Sequence, residues 1–303
     1  MEKNNQTKSK KSFSISWLSV IILVALIVYS IILIAILLWA AFSSVKTVDY
    51  FNNVDVVWPQ SLLPWEWEFG NYGFVFMNFK VRLRGTTRSV WIESLVMNSL
   101  LYAGVGALLH TGVACLMAYL AAKFKYKFSG IIYWTVVICM TIPIVGADIS
   151  NIQILNGMGF YDTFLGAWIL KFNFMGTYFL VFFAIFATLP NDYAEAAFLD
   201  GAGETKVLLK VILPLVSSTF FTVFLLNFIA FWNDYTVPLL YLPTHPTLSY
   251  AVQYLTDGGG EGDFNYVPVR MATCFLVAIP ILILFLIFRG RIMNKVSMGG
   301  IKE

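Results

Sequence analysis

Apolar residues along this 303-residue chain gather into six long runs that are separated by polar segments. A helix needs about 20 apolar residues to cross the hydrocarbon layer of a membrane, and each run approaches or exceeds that length. The pattern therefore predicts an all-α polytopic membrane protein with six transmembrane helices in a single domain. The predicted spans are residues 17–42, 98–122, 128–147, 172–189, 212–240 and 271–288.

The segments between these runs differ in character. Residues 43–92 combine charges of both signs with several prolines and tryptophans, and we interpret them as a folded external loop. Residues 241–267 form a second external loop, which contains no lysine or arginine. Trp65 and Trp67 have the chemistry to stack on a sugar, but we favour a role as anchors at the headgroup level of the membrane.

The composition agrees with a membrane protein. Hydrophobic residues make up 59% of the chain and charged residues only 12%, whereas roughly a quarter of the residues of a soluble protein are charged. No charge lies between Ser12 and Val45, a length well beyond the about 7–15 apolar residues of a cleaved signal peptide, so we expect an uncleaved first span. Three cysteines lie in apolar runs without paired spacing and predict neither a metal site nor a disulfide framework, namely Cys115, Cys139 and Cys274.

The distribution of positive charge predicts the orientation. With the N-terminus inside, residues 1–16, 122–128, 190–211 and 289–303 lie in the cytoplasm and hold 13 of the 20 lysines and arginines. Cytoplasmic loops of membrane proteins carry such an excess. We therefore expect both termini and the segment 190–211 in the cytoplasm, and we expect no binding of nucleic acid, because the lysines cluster at the ends of spans.

Residues 190–211 are a polar island between two apolar runs. Asp192 is suited to cap a short helix, with Glu195 three residues later in the spacing of a capping box. Gly201 offers the left-handed conformation that ends a helix, and a second helical run follows from Gly203 to Lys210. The pattern predicts helix, turn and helix. Such a unit suits docking into a groove on a partner protein, and it suits an ordinary capped connector equally well.

The order of residues in this island resembles a known motif. Glu195-Ala196-Ala197, three residues, Gly201, nine residues and then Val211-Ile212-Leu213-Pro214 resemble the EAA loop in the permease subunits of ABC importers. In that family the loop forms a coupling helix that sits in a cleft of the cytoplasmic ATPase subunit. The resemblance assigns ATPase coupling to Glu195, Ala196, Ala197, Asp200, Gly201 and Ala202.

Three further stretches are similar to the carbohydrate branch of these permeases, specifically the maltose-type second permease. They are Met97-Asn98-Ser99-Leu100, Phe231-Trp232-Asn233-Asp234-Tyr235 and the final Gly299-Gly300-Ile301-Lys302-Glu303. The resemblance implies the type I importer fold, with six spans and both termini in the cytoplasm. Arg289 stands where many members carry glutamine, and the tail ends in Glu303 instead of glycine, so the contacts of the tail do not follow from the family.

The resemblance also implies partners. A second homologous permease would complete the pore, two cytoplasmic ATP-binding subunits would hold ATP and magnesium, and an extracytoplasmic solute-binding protein would deliver a sugar for alternating-access transport across the cell membrane. This chain contains no P-loop of its own. We therefore expect no catalytic residue, metal or cofactor in it.

Polar residues near the far end of the fifth predicted span mark a candidate transport path. Such residues are costly at membrane depth unless they face a cavity or a partner helix, and the candidates are Asn227, Trp232 and Asn233. The alternative is an interfacial cap to the helix with Trp232 as its anchor, which fits Asp234 at least as well. His110 is ionisable and lies within the second span, where we favour a packing role because no carboxylate stands at helical spacing from it.

Other classes of protein fit the sequence less well. A secondary transporter would need carboxylates within its spans for ion coupling, and almost none occur there. An intramembrane enzyme would need a convergent pair of reactive side chains, whereas His110 and Cys115 have poor geometry and no orienting acid. The closer alternative is an ABC permease for another solute, such as a peptide, an amino acid or phosphate.

Overall fold

The computed structural model describes residues 17–61, 63–83, 85–124, 129–142, 146–260 and 262–296. The lysines at positions 3–11, 125 and 127, Pro143, and the tail with Gly299–Glu303 lie outside the described residues. The described part is mostly helical. Its α-helices are α1 (Trp17–Ser44), α2 (Val48–Asn53), α3 (Gly70–Asn78), α4 (Ile92–Leu100), α5 (Gly106–Lys123), α6 (Ser129–Thr141), α7 (Asp148–Gly157), α8 (Phe164–Lys171), α9 (Thr177–Thr188), α10 (Asp192–Leu199), α11 (Glu204–Val207), α12 (Leu213–Trp232), α13 (Thr236–Tyr241), α14 (Leu248–Tyr254) and α15 (Val267–Val296).

Four helical stretches among the described residues are long and apolar enough to cross a membrane, namely Trp17–Ser44, Ile92–Lys123, Glu204–Trp232 and Val267–Gly290. Two of them are composite, because the wide π-helical turns Leu101–Val105 and Leu208–Ile212 join their pieces. The apolar helices α6 and α9 are shorter. At about 1.5 Å per residue they rise roughly 18–20 Å, which is less than the about 30 Å thickness of the hydrocarbon layer.

The helices depart from the predicted spans at identifiable residues. The helix of the fifth span ends at Trp232 and not at residue 240, because the Asp234 carboxylate accepts the backbone N–H groups of Thr236 and Val237 at 3.0 and 3.2 Å and so begins α13. In the fourth span, helix α9 begins only after the Asn173 side chain has accepted the N–H of Met175 at 2.8 Å. Side chains that bind nearby backbone groups compete in this way with a continuous helix.

The segment between the first two spans is folded, and it corrects the all-α expectation in one detail. Strands β1 (Lys80–Arg82) and β2 (Ser89–Trp91) form an antiparallel hairpin in which Val81 faces Val90. Trp65 is 77% exposed. Trp67 instead packs edge-to-face on Phe42 of α1 with 6.1 Å between ring centroids, and its indole N–H donates to the Ser61 carbonyl.

Two apolar clusters form the core. The Trp232 cluster joins the segment between the first two predicted spans to the end of α12 and the start of α15, and it includes Val81, Tyr102, Phe228, Trp232 and Leu248. The Phe182 cluster joins α5, α9 and the base of α12 and includes Ala114, Ala118, Phe182, Val207 and Ile212. Small side chains on α5 allow neighbouring helix backbones to approach closely, which is how helices associate in a membrane. The segment predicted as the second external loop is partly folded into this core, because Leu248 and Ala251 of α14 are buried in the Trp232 cluster.

A buried hydrogen bond links α5 to α12 in the core. The Asn227 side-chain amide donates to the Thr111 hydroxyl at 2.9 Å, and the two residues are 3% and 0% exposed. Asn227 therefore satisfies its polar group against a partner helix. An unpaired amide in this region would be costly, and the bond to Thr111 avoids that cost. Asn227 is therefore a packing residue.

We expect Asn227→Ala to lower the stability of the protein by about 0.6–2 kcal/mol, since a hydrogen bond between membrane helices is worth that much. The measurement is the thermal unfolding midpoint of the purified protein in detergent. Asn78→Ala is the matched control, because the Asn78 side chain is exposed and donates a hydrogen bond to the carbonyl of Phe74 one turn before it. Equal midpoints for the two variants would contradict the structural role of Asn227.

Candidate functional site

The polar island folds as a helix, a turn and a second helix. Helix α10 spans Asp192–Leu199, and the turn runs through Gly201 to Gly203. Helix α11 then continues through the turn Leu208–Ile212 directly into α12. The second helix of the unit is thus the base of a membrane-length helix, so α10 is attached to that helix by one short turn.

The predicted capping box is wrong. The residue that precedes α10 is Asn191, its backbone is already helical, and no side chain caps the first turn. The Asn191 side chain instead accepts a hydrogen bond from Lys123 at the end of α5 at 2.9 Å, and the Lys123 ammonium also donates to the Leu189 carbonyl at the end of α9. A cation at the end of α5 therefore holds the start of the polar island, in place of Asp192 and Glu195.

The predicted turn at Gly201 is confirmed. Gly201 has φ = +76°, its N–H donates to the Phe198 carbonyl at 3.0 Å, and the N–H of Ala202 donates to the Ala197 carbonyl at 3.0 Å. These two bonds form the Schellman motif, in which a left-handed residue reverses the chain and satisfies the last carbonyl groups of a helix. The motif fixes the angle between α10 and the base of α12.

The polar island has an inner and an outer face. Ala194, Ala197 and Ala202 pack partly buried against the Phe182 cluster. Glu195, Ala196, Asp200 and Gly201 are exposed. The structure therefore brings all six predicted coupling residues onto one helix and its turn, with two alanines against the core and the other four residues turned outward.

Three large side chains on the outer face are not among the residues that the motif assigns. Leu199 is 89% exposed, Tyr193 49% and Phe198 46%. Apolar side chains grouped on an otherwise polar surface mark interaction sites. Beside them a cavity of about 230 Å³ separates α10 from the end of α5 and is bordered by Glu195, Phe198 and Lys123. The signal was present in the sequence, since Phe198 and Leu199 directly follow the alanines of the motif.

The three candidate residues of the transport path lie in two different environments. Asn227 is bonded to Thr111 as described above. Trp232 is 2% exposed, its indole N–H donates to the Val277 carbonyl at 3.1 Å, and its ring stacks on Phe228. Asn233 alone of the three borders open space, where it lines a groove against α15.

Asp234 organises the end of the fifth span. Its Oδ2 accepts hydrogen bonds from the Tyr102 hydroxyl at 2.8 Å and from the Lys171 ammonium at 2.9 Å. We call Asp234, Tyr102 and Lys171 the Asp234 network. The Lys171 carbonyl lies 2.8 Å from Nδ1 of His110, whose ring packs edge-to-face on Phe231. The structure therefore gives His110 the packing role expected for it, and Asp234 both begins α13 and ties it to Tyr102 and Lys171.

Comparison with known proteins decides the family. Residues 111–298, which include the polar island and Asp234, match the profile of the family described as binding-protein-dependent transport system inner membrane component. The chain belongs to this family. It is a permease subunit of an ABC transporter, and ATP hydrolysis in such transporters is the work of partner subunits.

Several curated relatives resemble this permease over most of their length. It is 25% identical over 283 residues to the diacetylchitobiose uptake system permease protein NgcG of Streptomyces coelicolor, covering 90% of this chain and 86% of the relative. It is 26% identical to the sulfoquinovosyl glycerol transport system permease protein SmoH of Agrobacterium fabrum, with 88% and 87% covered. The trehalose/maltose transport system permease protein MalG of Thermococcus litoralis is 26% identical, with 68% and 74% covered.

A solved structure shares the fold of this permease. A chain in the crystal structure of a bacterial ABC transporter involved in the import of the acidic polysaccharide alginate superposes with a TM-score of 0.73. The two chains are 18% identical, and the superposition covers 93% of this permease and 98% of the other chain.

We expect Gly201→Ala to loosen the turn, because a side chain in the left-handed region costs about 1–2 kcal/mol. Amide hydrogen exchange at Gly201 and Ala202, followed by mass spectrometry, should accelerate roughly 5–30-fold as that strain opens the turn. Gly203→Ala is the matched control, since Gly203 has φ = −75° and open space around its Cα. Equal exchange in the two variants would contradict the assignment of the turn.

Proposed function

We propose that this chain is one of two permease subunits of an ATP-driven importer, which moves a sugar or oligosaccharide across the cell membrane by alternating access. The relatives named for diacetylchitobiose, sulfoquinovosyl glycerol and trehalose/maltose support this substrate class. In this proposal the complex comprises a second homologous permease, two cytoplasmic ATP-binding subunits and an extracytoplasmic binding protein. ATP and Mg²⁺ bind to the ATP-binding subunits, and this chain carries no cofactor.

The proposed topology has six crossings with both termini in the cytoplasm. The four long apolar helices supply the first, second, fifth and sixth crossings, and α6 and α9 supply the third and fourth. Both short helices pack against α5. Non-helical backbone is tolerated at membrane depth where it is buried in protein, so each short helix need not span the hydrocarbon layer by itself. The excess of lysine and arginine in the predicted cytoplasmic segments supports the orientation.

The exposed outer face of α10 carries the proposal for ATPase coupling. Glu195, Phe198 and Leu199 offer a carboxylate and two apolar side chains to a partner, while Ala197 and Ala202 attach the same helix to the Phe182 cluster. A push on α10 is passed to α12 through the rigid Gly201 turn. We therefore infer that Glu195, Ala196, Asp200 and Gly201 form the contact with an ATP-binding subunit, and that Ala197 and Ala202 hold the helix that carries these residues.

A second candidate substrate class is a phosphorylated polyol. The sn-glycerol-3-phosphate transport system permease protein UgpE of Pectobacterium atrosepticum is 24% identical over 221 residues, covering 68% of this chain and 77% of the relative. Such a solute differs from a neutral sugar by its charge. Uptake measurements therefore separate the two classes.

We expect Glu195→Arg and Leu199→Asp each to reduce co-purification of the ATP-binding subunits at least tenfold, because one change reverses the charge and the other removes the apolar contact of the docking face. The four-component transporter is co-expressed and purified through this chain. Glu66→Arg is the control, since Glu66 is an exposed glutamate of the external segment. Retention of the ATP-binding subunits by both α10 variants, with the second permease present, would rule out the coupling assignment.

We expect the reconstituted wild-type transporter with its binding protein and ATP to import a neutral saccharide. Uptake into proteoliposomes is measured separately with radiolabelled diacetylchitobiose, maltose, trehalose and glycerol 3-phosphate, and unlabelled glycerol 3-phosphate is added in excess as the charged competitor of the saccharides. Uptake of a saccharide that excess glycerol 3-phosphate does not inhibit confirms sugar import. Uptake of glycerol 3-phosphate alone transfers the assignment to the second candidate.

A further inference from the structure

A groove opens where the fifth membrane helix ends, between α12, α14 and α15. Its volume is about 290 Å³, near the lower end of the about 300–1,000 Å³ that is usual for ligand sites. One wall is the apolar surface of α15, where Cys274 is exposed. The opposite wall is polar and consists of Asn233, Tyr235, Ser249 and Gln253.

The polar wall is held in place by the Asp234 network. The Asp234 side chain points into the protein, while its neighbours Asn233 and Tyr235 point into the groove. The Ser249 hydroxyl donates to the Asp234 carbonyl at 2.9 Å, which ties α14 to the same turn. The groove is therefore a built feature, because the residues that form its polar wall share one buried anchor.

The chemistry of the wall suits hydroxyl groups. The Asn233 amide N–H donates to the Ile229 carbonyl at 2.8 Å, and the Gln253 amide N–H donates to Asp257 at 2.9 Å. Within the described ranges neither amide oxygen accepts a hydrogen bond, and the Tyr235 hydroxyl has no partner. The groove thus presents two free acceptors beside a tyrosine that is 41% exposed. An aromatic face next to acceptors is a suitable surface for a sugar ring.

The position and the charge of the groove limit its occupant further. Side-chain amides that faced lipid would lose hydrogen bonds at a cost of several kcal/mol each, so the polar wall faces water or a ligand. None of the residues that line the groove is charged, which favours a neutral ligand over a phosphate.

We propose that this groove is a saccharide contact site on the wall of the transport path, where this chain holds one uncharged sugar ring during import. Tyr235 packs against the ring, and Asn233 and Gln253 accept hydrogen bonds from its hydroxyl groups. The proposal rests on the sugar import proposed above. It adds that this subunit touches the substrate, and it replaces the buried Asn227 and Trp232 with exposed residues of the groove.

Cys274 provides a native reporter for the groove. The complete transporter in proteoliposomes is treated with a water-soluble methanethiosulfonate, in the presence of ATP and binding protein, with and without the saccharide that the wild type imports. Labelled peptides are quantified by mass spectrometry. We expect the saccharide to slow labelling of Cys274 at least threefold and to leave Cys139, which lies on α6 away from the groove, unchanged.

Two variants separate contact from a conformational change that merely hides the thiol. Tyr235→Ala should raise the KM for uptake about threefold to tenfold with little change in kcat, and it should abolish the protection of Cys274. Tyr29→Ala is the matched control, because Tyr29 is an exposed tyrosine of α1. Protection that persists in Tyr235→Ala would overturn the contact.

Each remaining outcome bears on a definite claim. If the wild type imports a saccharide and Cys274 reacts equally fast with and without it, the groove is not on the path. If Cys274 never reacts in the complete transporter but reacts when the second permease is absent, the groove is a subunit interface and the proposal fails. If the wild type imports no saccharide, the proposed sugar import itself is wrong. The labelling experiment tests only the groove, because it is carried out on a transporter that already imports a saccharide.

Discussion

The ion pair between Asp234 and Lys171 is the interaction on which the arrangement of this permease depends. Two partly buried charges so close to the membrane interior are costly unless paired and hydrogen-bonded, and here four donors surround one carboxylate. The pair joins the π-helical turn of the second span, the end of α8 and the break between α12 and α13. Because Lys171 also lies 5.0 Å from the Phe231 ring centroid, the same contact sets the packing around the end of the fifth span.

The two apolar clusters hold the two ends of α12 and so connect the Asp234 network to the polar island. The Phe182 cluster holds α10 and the base of α12, and the Trp232 cluster holds the top of α12 and the wall of the groove. Helix α12 connects them over 20 residues, a length of about 30 Å. Interiors packed like crystals transmit displacement instead of absorbing it. In the proposed transport cycle, a movement of α10 therefore reaches Asn233 and Tyr235 as a movement of the whole helix.

The sequence predicted the parts of this structure that local chemistry determines. Gly201 follows from the left-handed turn that ends a helix, and the apolar runs follow from the thickness of the bilayer. The sequence does not show which residues that are distant along the chain become partners. Lys123 binds Asn191 and so replaces the expected cap, and Thr111 binds Asn227 from another helix. Polarity alone does not tell whether such a residue faces a cavity or a neighbouring helix. The hairpin escaped because strands of three residues are too short to show alternation.

Helix α1 differs from the other long helices because it lies outside the family match and is not buried in this chain. The family match begins at residue 111, and no residue of the most apolar window of α1 is buried in this chain. Its end is nevertheless tightly held, because Asn71 donates to the carbonyl groups of Ser44 and Lys46, and the buried Lys46 ammonium donates to the carbonyl groups of Asp55 and Val56. These bonds satisfy the groups that a helix end leaves open. The segment that follows α1 therefore holds the end of this helix, whose apolar length is left exposed in this chain.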